Sequence, residues 1–301
     1  MVDNSTPIAG QPIQPLGANP LAKHIRQPKI YIKLPSDGHY WPEGSLEKTE
    51  NSEYPVYAMT AKDEIIFKTP DALLNGQATV DVIQSCMPNV KDAWQTPSID
   101  LDSIMVAIRM ASYGEKLDMN GKVPNTDLDK AYVLDLRQIL DRYVATEYVD
   151  TFKIEGFTIQ IKPVNYKSFT TVANKMFEEQ RIFSVVNDDA IDQQTKLEKF
   201  QQSLSALTTI NVDTVVDSVV AIQPDGEDQP VVNKHHIKEF IEGAEAGIFN
   251  QIKTHIDDMA KKFTQQPLKV QATEEEIEAG APKEYEMPIV FDQSNFFASG
   301  S

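Results

Sequence analysis

The sequence predicts an α+β protein, mostly helical, with short antiparallel hairpins between helical segments and a C-terminal β-hairpin. Three observations predict it. Beyond about residue 165, apolar side chains recur every three or four positions, the period of a helix face. Shorter segments alternate apolar and polar residues and are parted by turns rich in Gly, Pro, Asn and Asp, as antiparallel strands are. A chain of 301 residues with 41% hydrophobic and 24% charged residues has the make-up of a globular protein that buries its own core. Four stretches follow: a flexible N-terminal arm over 1–28, an α+β module over 29–145, a hairpin plus helical module over 146–266, and a β-return with C-terminal tail over 267–301.

The arm spreads Pro7, Pro12, Pro15, Pro20 and Pro28 among small and polar residues. Each proline removes a donor and pushes its predecessor towards extended backbone. The segment holds too little apolar surface to offset the entropy of ordering it alone. Lys23, Arg26 and Lys29 make its end locally basic. It reads either as a loose terminus or as an arm that lies on a neighbouring subunit, with Lys23 and Arg26 as the contact residues.

Residues 29–34 alternate Ile30, Ile32 and Leu34 against Lys29, Tyr31 and Lys33, a half-buried strand ended by the turn Pro35-Ser36-Asp37-Gly38. Trp41-Pro42-Glu43-Gly44 is a second turn, and Tyr54 to Met59 is a second short strand. Thr60 opens a helix: its hydroxyl can take a first-turn amide, and Asp63 can reach back, a capping box variant. This gives the Asp63-Glu64 pair a structural task at the positive end of a helix rather than a catalytic one. Thr69-Pro70-Asp71 repeats the logic and Asn75-Gly76 closes it. Residues 77–86 form a short helix ending before Pro88. Ser98 or Asp100 starts a stronger one, with Leu101, Ile104, Met105, Ile108 and Ser112 on one face and Gly114 as its end. Arg109 inside it either pairs with an acid or faces solvent.

Residues 116–136 read as a loose hairpin about Pro124-Asn125, followed by a short helix near 137–143. A better hairpin follows at 148–162 with Glu155-Gly156 as its turn. Phe169, Val172, Ala173 and Met176 make one helical stripe, and Leu197, Phe200, Leu204 and Leu207 a second. The β-branched crowd at 209–222 fits helix or strand. Asn233 then caps what reads as the longest helix, a stripe from Ile237 to Phe263 over about seven turns. Pro267 stops it. Leu268 to Ala272 and Met287 to Phe291 are candidate strands around an acidic excursion, Glu274 to Glu286, read as a solvated loop. Phe296 and Phe297 are adjacent aromatics in a polar tail, which either fold back or bind a partner.

The net charge of −17, from 45 acids and 28 bases, argues against a nucleic-acid backbone or an anionic membrane as partner. It fits solubility by self-repulsion, or complementarity to a basic partner. The one cysteine, Cys86, leaves no intrachain disulfide and fits a reducing compartment. The first residues hold no apolar signal core, and no run of ~18 apolar residues predicts a membrane span.

Chemistry is not evident. His24, His39, His235, His236 and His255 include no pair spaced to share a metal on one helix face. Cys86 has no nearby base and reads as a small buried hydrophobe. Asp188-Asp189 and Asp257-Asp258 read as a helix start and a solvated face. No P-loop, Gly-x-Ser-x-Gly or Gly-x-Gly-x-x-Gly run is present. The expectation is no enzyme, no cofactor, no metal and no small-molecule substrate.

Several stretches taken together resemble a known family. They are Asn19 to Ser36, Met59 to Glu64, Lys68 to Gly76, Ser85 to Asn89, Ile108 to Gly114 and Phe291 to Phe297. In this order the chain resembles the baseplate hub assembly proteins of T-even-like contractile-tailed bacteriophages. One departure stands out. Members often carry a Cys-Pro-x-Cys ribbon after the Tyr113-Gly114 position, and sometimes another near the end. Here 120–125 and 272–286 hold no cysteine. The resemblance implies tail assembly by protein contact, in the host cytoplasm and in the tail baseplate. Its partners would be other hub or tape-measure proteins, with self-association left open. A chaperone for the tape-measure protein is an alternative, and a tail-associated cell-wall hydrolase a weaker one.

Overall fold

The computed structural model describes residues 26–67, 69, 76–186 and 192–289, and for 180–186 the backbone alone. Lys68 to Asn75, where a proline-led helix was expected, falls almost wholly outside them. Among the described residues are nine α-helices and four small antiparallel sheets, so the chain is α+β with a C-terminal hairpin, as its sequence predicts.

Strand β1 (Pro28–Ile32) pairs antiparallel with β2 (Tyr54–Tyr57), Ile32 opposite Tyr54. The expected alternation holds: Ile32 and Leu34 turn inward, and Tyr31 stays exposed. The turn between them needs left-handed backbone at Asp37 (φ 47) and Gly38 (φ 74). Helix α1 (Ala61–Phe67) starts at the expected cap, Asp63 N–H donating to Thr60 Oγ1 at 3.3 Å and Thr60 N–H to Asp63 Oδ2 at 2.7 Å. Helix α2 (Gln77–Cys86) follows Gly76 at φ 79, and a short 3₁₀ turn (Ala93–Gln95) leads to α3 (Ser98–Tyr113).

Helix α3 corrects the one-face expectation. Residues Ser103 to Ala111 are all buried, because β1, β2, α2 and two later helices close on it from all sides. A stripe predicts one covered face; this helix is the axis of the first core. Arg109 neither pairs with an acid nor faces solvent. It is buried, its guanidinium 4.5 Å over the Tyr113 ring, with no acid paired to it among the described residues.

The loose hairpin is β3 (Lys116–Lys122) with β4 (Asp129–Asp135), turned at Asn125 (φ 63), and α4 (Leu136–Ala145) begins where Asp135 caps Arg137. The better hairpin is β5 (Thr151–Ile154) with β6 (Phe157–Ile161). Two long helices follow, α5 (Tyr166–Val186) and α6 (Gln193–Ser218). The ambiguous stretch 209–222 is both: helix to Ser218, then strand β7 (Val219–Pro224), which joins the sheet in the order β5-β6-β7.

The expected seven-turn helix is two. Asn233 caps α7 (Lys234–Gly243), and α8 (Ala246–Lys262) restarts after extended backbone at Ala244 (ψ 151) and Glu245 (ψ 144). Gly243 weakens the junction. The break gives each piece its own angle to the second core, where Ile237 and Ile241 meet Ile252 and Met259. Among the described residues the longest helix is therefore α6, at 26 residues.

At the C-terminal end, β8 (Leu268–Gln271) pairs with β9 (Glu284–Met287). The second strand starts three residues earlier than expected. The acidic excursion is solvated as expected but is not all loop: it contains helix α9 (Glu274–Glu278), exposed except at Glu276, which closes a capping box with Thr273 and is buried. Tyr285 and Met287 pack with Val123 in a third, small core on the β3–β4 hairpin. The first core draws on residues from Ile32 to Tyr143 plus Tyr166, and the second on residues from Ile154 to Met259. Tyr148, packed against the second core, meets Tyr40 of the early turns edge-on at 5.4 Å and links the two parts of the chain. No described helix is long and apolar enough to cross a membrane.

Candidate interaction surfaces

Of the residues proposed for partner contact, Lys23, Phe296 and Phe297 lie outside the described residues. Arg26 is described, and its guanidinium is turned onto the chain itself. It donates to Ala58 O at 2.6 Å and to Ser85 Oγ at 2.9 Å, and it also binds Ser85 O. It lies 3.6 Å from Asp63 Oδ2 and 5.7 Å over the Tyr57 ring. Asp63 receives Thr60 N–H, Thr60 Oγ1 at 2.8 Å and Ser85 Oγ at 3.0 Å while nearly fully buried. The helix cap is thus also the socket for the root of the arm. The Thr60-x-x-Asp63 signal announced the cap; nothing local announced Arg26 as a third member. Cys86 sits behind this socket, and burial pushes its thiol up to about 12, which removes it as a nucleophile at neutral pH.

A second buried polar cluster was missed by sequence reasoning. Asp100, in the first turn of α3, accepts Ser36 N–H at 2.8 Å, Ser36 Oγ at 2.5 Å and Trp41 Nε1 at 2.8 Å. Burial pushes its carboxyl up to about 6 in spite of those donors. The cluster pins both early turns to the central helix, a structural task. Its partners are 64 and 59 residues away, so no spacing could reveal it.

The two helical stripes do reach the surface. Phe169 is 53% exposed, Phe177 59%, Leu197 57% and Leu204 45%. Ser203 Oγ meets Glu179 O, and Ser168 shares a cleft with Thr214, so α5 and α6 run antiparallel. Their mutual seam is Val172 and Met176 against Ser203, Leu207 and Ile210, which are half-buried or buried. Residues 169, 173 and 177 stand about 100° round α5 from that seam, and 197, 200 and 204 stand about 100° round α6 in the same sense. In an antiparallel pair, equal rotation in the same sense brings both stripes to one side.

The other side of the hairpin is polar. A cleft of about 630 Å³ there is lined by Lys167, Lys175, Asp213, Lys234, His235 and Lys238, among others. Lys234 Nζ caps the end of α6, donating to Val216 O at 2.8 Å and Val219 O at 2.6 Å, and burial holds its ammonium below its ordinary pKa. Lys238 pairs with Asp213 at 2.9 Å. Among the described residues no three His, Cys, Asp or Glu side chains stand close enough together to hold a metal ion.

A protein-family model described as T4 bacteriophage base plate protein matches residues 28–281. The chain belongs to that family. The match runs from the first residue of β1 into the third core, across both larger cores and the helical hairpin between β6 and β7. No curated protein and no solved structure matches the chain. As a member of the base plate family, the chain is a bacteriophage tail protein, and its working surfaces are those that meet other base plate proteins.

Proposed function

We propose that the chain acts without catalysis, as an assembly protein of the baseplate central hub, by presenting surfaces to other tail proteins. The observation that carries this reading is the family match over most of the chain. The resemblance of the 19–36 run and of the 291–297 ending to hub assembly proteins narrows it from base plate to hub. The host cytoplasm is where assembly would occur, with the tail baseplate as destination. The arm with Lys23 and the tail with Phe296 and Phe297 are the proposed contact segments; Arg26 supports the arm from its socket on α1 and α2. The test is deletion of 1–20 and, separately, Phe296→Ser with Phe297→Ser. Both variants should fold, and both should lower the yield of assembled baseplates. Normal yields from both would sink the reading.

A second reading, a chaperone for the tape-measure protein, is favoured by one observation: the exposed apolar side of the long α5–α6 hairpin, which could shield a helical client. Co-purification of the tape-measure protein, with this chain absent from mature particles, would select it.

A further inference from the structure

We propose that the lysine cleft beside the α5–α6 hairpin is a docking groove for an extended acidic segment of another base plate protein. The cleft of about 630 Å³ runs into a second of about 190 Å³, and the two share Ser168, Asp217 and Lys234. The second adds Lys162 to the basic lining and brings an apolar lining of Tyr40, Pro42, Pro97 and Pro163. One groove therefore runs from the early turns of the first core to the flank of the hairpin.

The charge of the groove is the reverse of the chain's. Its charged residues are five lysines and two aspartates, a balance of +3 in a protein of net charge −17. The aspartates are taken up: Asp213 pairs with Lys238 at 2.9 Å, and Asp217 lies beside Lys234. Lys162, Lys167 and Lys175 are exposed, with no acid paired to them among the described residues. The Lys234 ammonium is held below its ordinary pKa by burial first and by the Lys162 charge second, with Asp217 acting the other way. Positive charge is thus in local excess. Lys167 and Lys175 stand about 12 Å apart along α5, which about four residues of extended chain cover. Acids at alternate positions can meet both, and apolar residues between them suit the Tyr40 and proline lining. The rest of so acidic a surface repels such a segment, so the groove fixes where it lands. A second copy offering its own acids here would make a head-to-tail contact, which grows on unless it closes into a ring. An unlike partner makes a contact that stops at one.

The inference goes beyond the hub reading, whose contacts are the arm and the tail, and the variants that test it leave both of those intact. The probe is a fluorescein-labelled peptide of about eight residues, Glu alternating with Leu, titrated with the full chain and followed by fluorescence polarisation. The expected Kd is about 1–100 µM near 0.1 M salt, and it should rise several-fold by about 0.5 M as screening removes the attraction. Lys167→Glu and Lys175→Glu should each weaken binding about tenfold with the helical circular dichroism unchanged. Lys116→Glu, exposed on β3 and away from the groove, makes the same change in net charge and should leave binding as it is. Should a glutamate variant fail to fold, Lys175→Gln keeps the test and should still weaken binding. The same peptide with Gln for Glu should not bind. Failure of the Glu peptide to bind at the highest concentration would overturn the proposal, as would equal binding of the Gln peptide or equal weakening by Lys116→Glu. A single-stranded oligonucleotide that displaces the peptide at lower concentration would overturn it too, and give the groove to phosphate.

Discussion

Removing the Asp100 carboxylate should uncouple the early turns from the central helix. In Asp100→Ala, Ser36 N–H, Ser36 Oγ–H and Trp41 Nε1–H all lose their acceptor inside the first core. Hydrogen bonds to a charged group contribute about 1.5–3 kcal/mol each, so three are worth on the order of 5–8 kcal/mol. Against this stands the cost of burying the charge, which exceeds what those same bonds return to the ionised form and leaves the carboxyl at about 6 rather than 3.8. The loss is therefore set by the buried donors left without an acceptor, about 1–3 kcal/mol each where water cannot reach them. The expected net loss is about 2–5 kcal/mol, a large share of the ~5–15 kcal/mol that typically holds a domain. Urea unfolding at pH 7, followed by the fluorescence of Trp41 and Trp94, reads it directly. A second arm uses pH. Because the folded carboxyl holds its proton more tightly than the unfolded one, its contribution is fully present below about pH 4 and falls as pH rises to about 6. The stability gap between wild type and Asp100→Asn should therefore shrink from pH 4 to pH 7. A loss under ~1 kcal/mol for Asp100→Ala, or a gap that widens with pH, would refute the reasoning.

Arg26→Ala should cost ~1–3 kcal/mol by leaving Ala58 O, Ser85 O and Asp63 uncompensated, and it should speed tryptic cleavage after Lys29; Arg26→Lys should restore only part, since one ammonium cannot span the fork. Gly76→Ala should lower stability by about 1–3 kcal/mol in thermal unfolding, because φ is +79 and the new methyl would stand 3.1 Å from Tyr166 Oη. Thr273→Ala should cost ~1 kcal/mol and speed hydrogen exchange in α9 and β9 before the rest of the chain.

What was legible in the sequence is what is local. The β1 alternation, the Thr60–Asp63 cap, the Asn233 cap and the Gly156 turn each rest on neighbours within a few residues, and each stands where it was read. Two misreadings share a cause. The burial of α3 on all sides and the burial of Glu276 depend on what packs against them from far along the chain. The break between α7 and α8 is different: Gly243 stood in view, inside an apolar stripe that runs on past it. Glu276 is held by Lys130 at 2.9 Å and Tyr285 Oη at 3.2 Å, and the Lys130 ammonium keeps its carboxyl below the usual range. Within a run of glutamates nothing singles it out. For the candidate surfaces, the stripes on α5 and α6 were visible as stripes, but their sharing one exposed side is a property of two helices folded back together.

The α5–α6 hairpin leaves the sheet after Ile161 and returns at Val219, two residues that are partners across neighbouring strands. A segment of more than fifty residues therefore begins and ends at one point of a rigid ladder. Its length is decoupled from the register that anchors it. Adding seven residues to each helix above the Tyr166–Trp94 contact would extend its reach by about 10 Å without moving a strand pair. Reach is thus a separately adjustable dimension of this protein: a spacer could be lengthened or trimmed to suit a neighbouring subunit while both larger cores stay as they are.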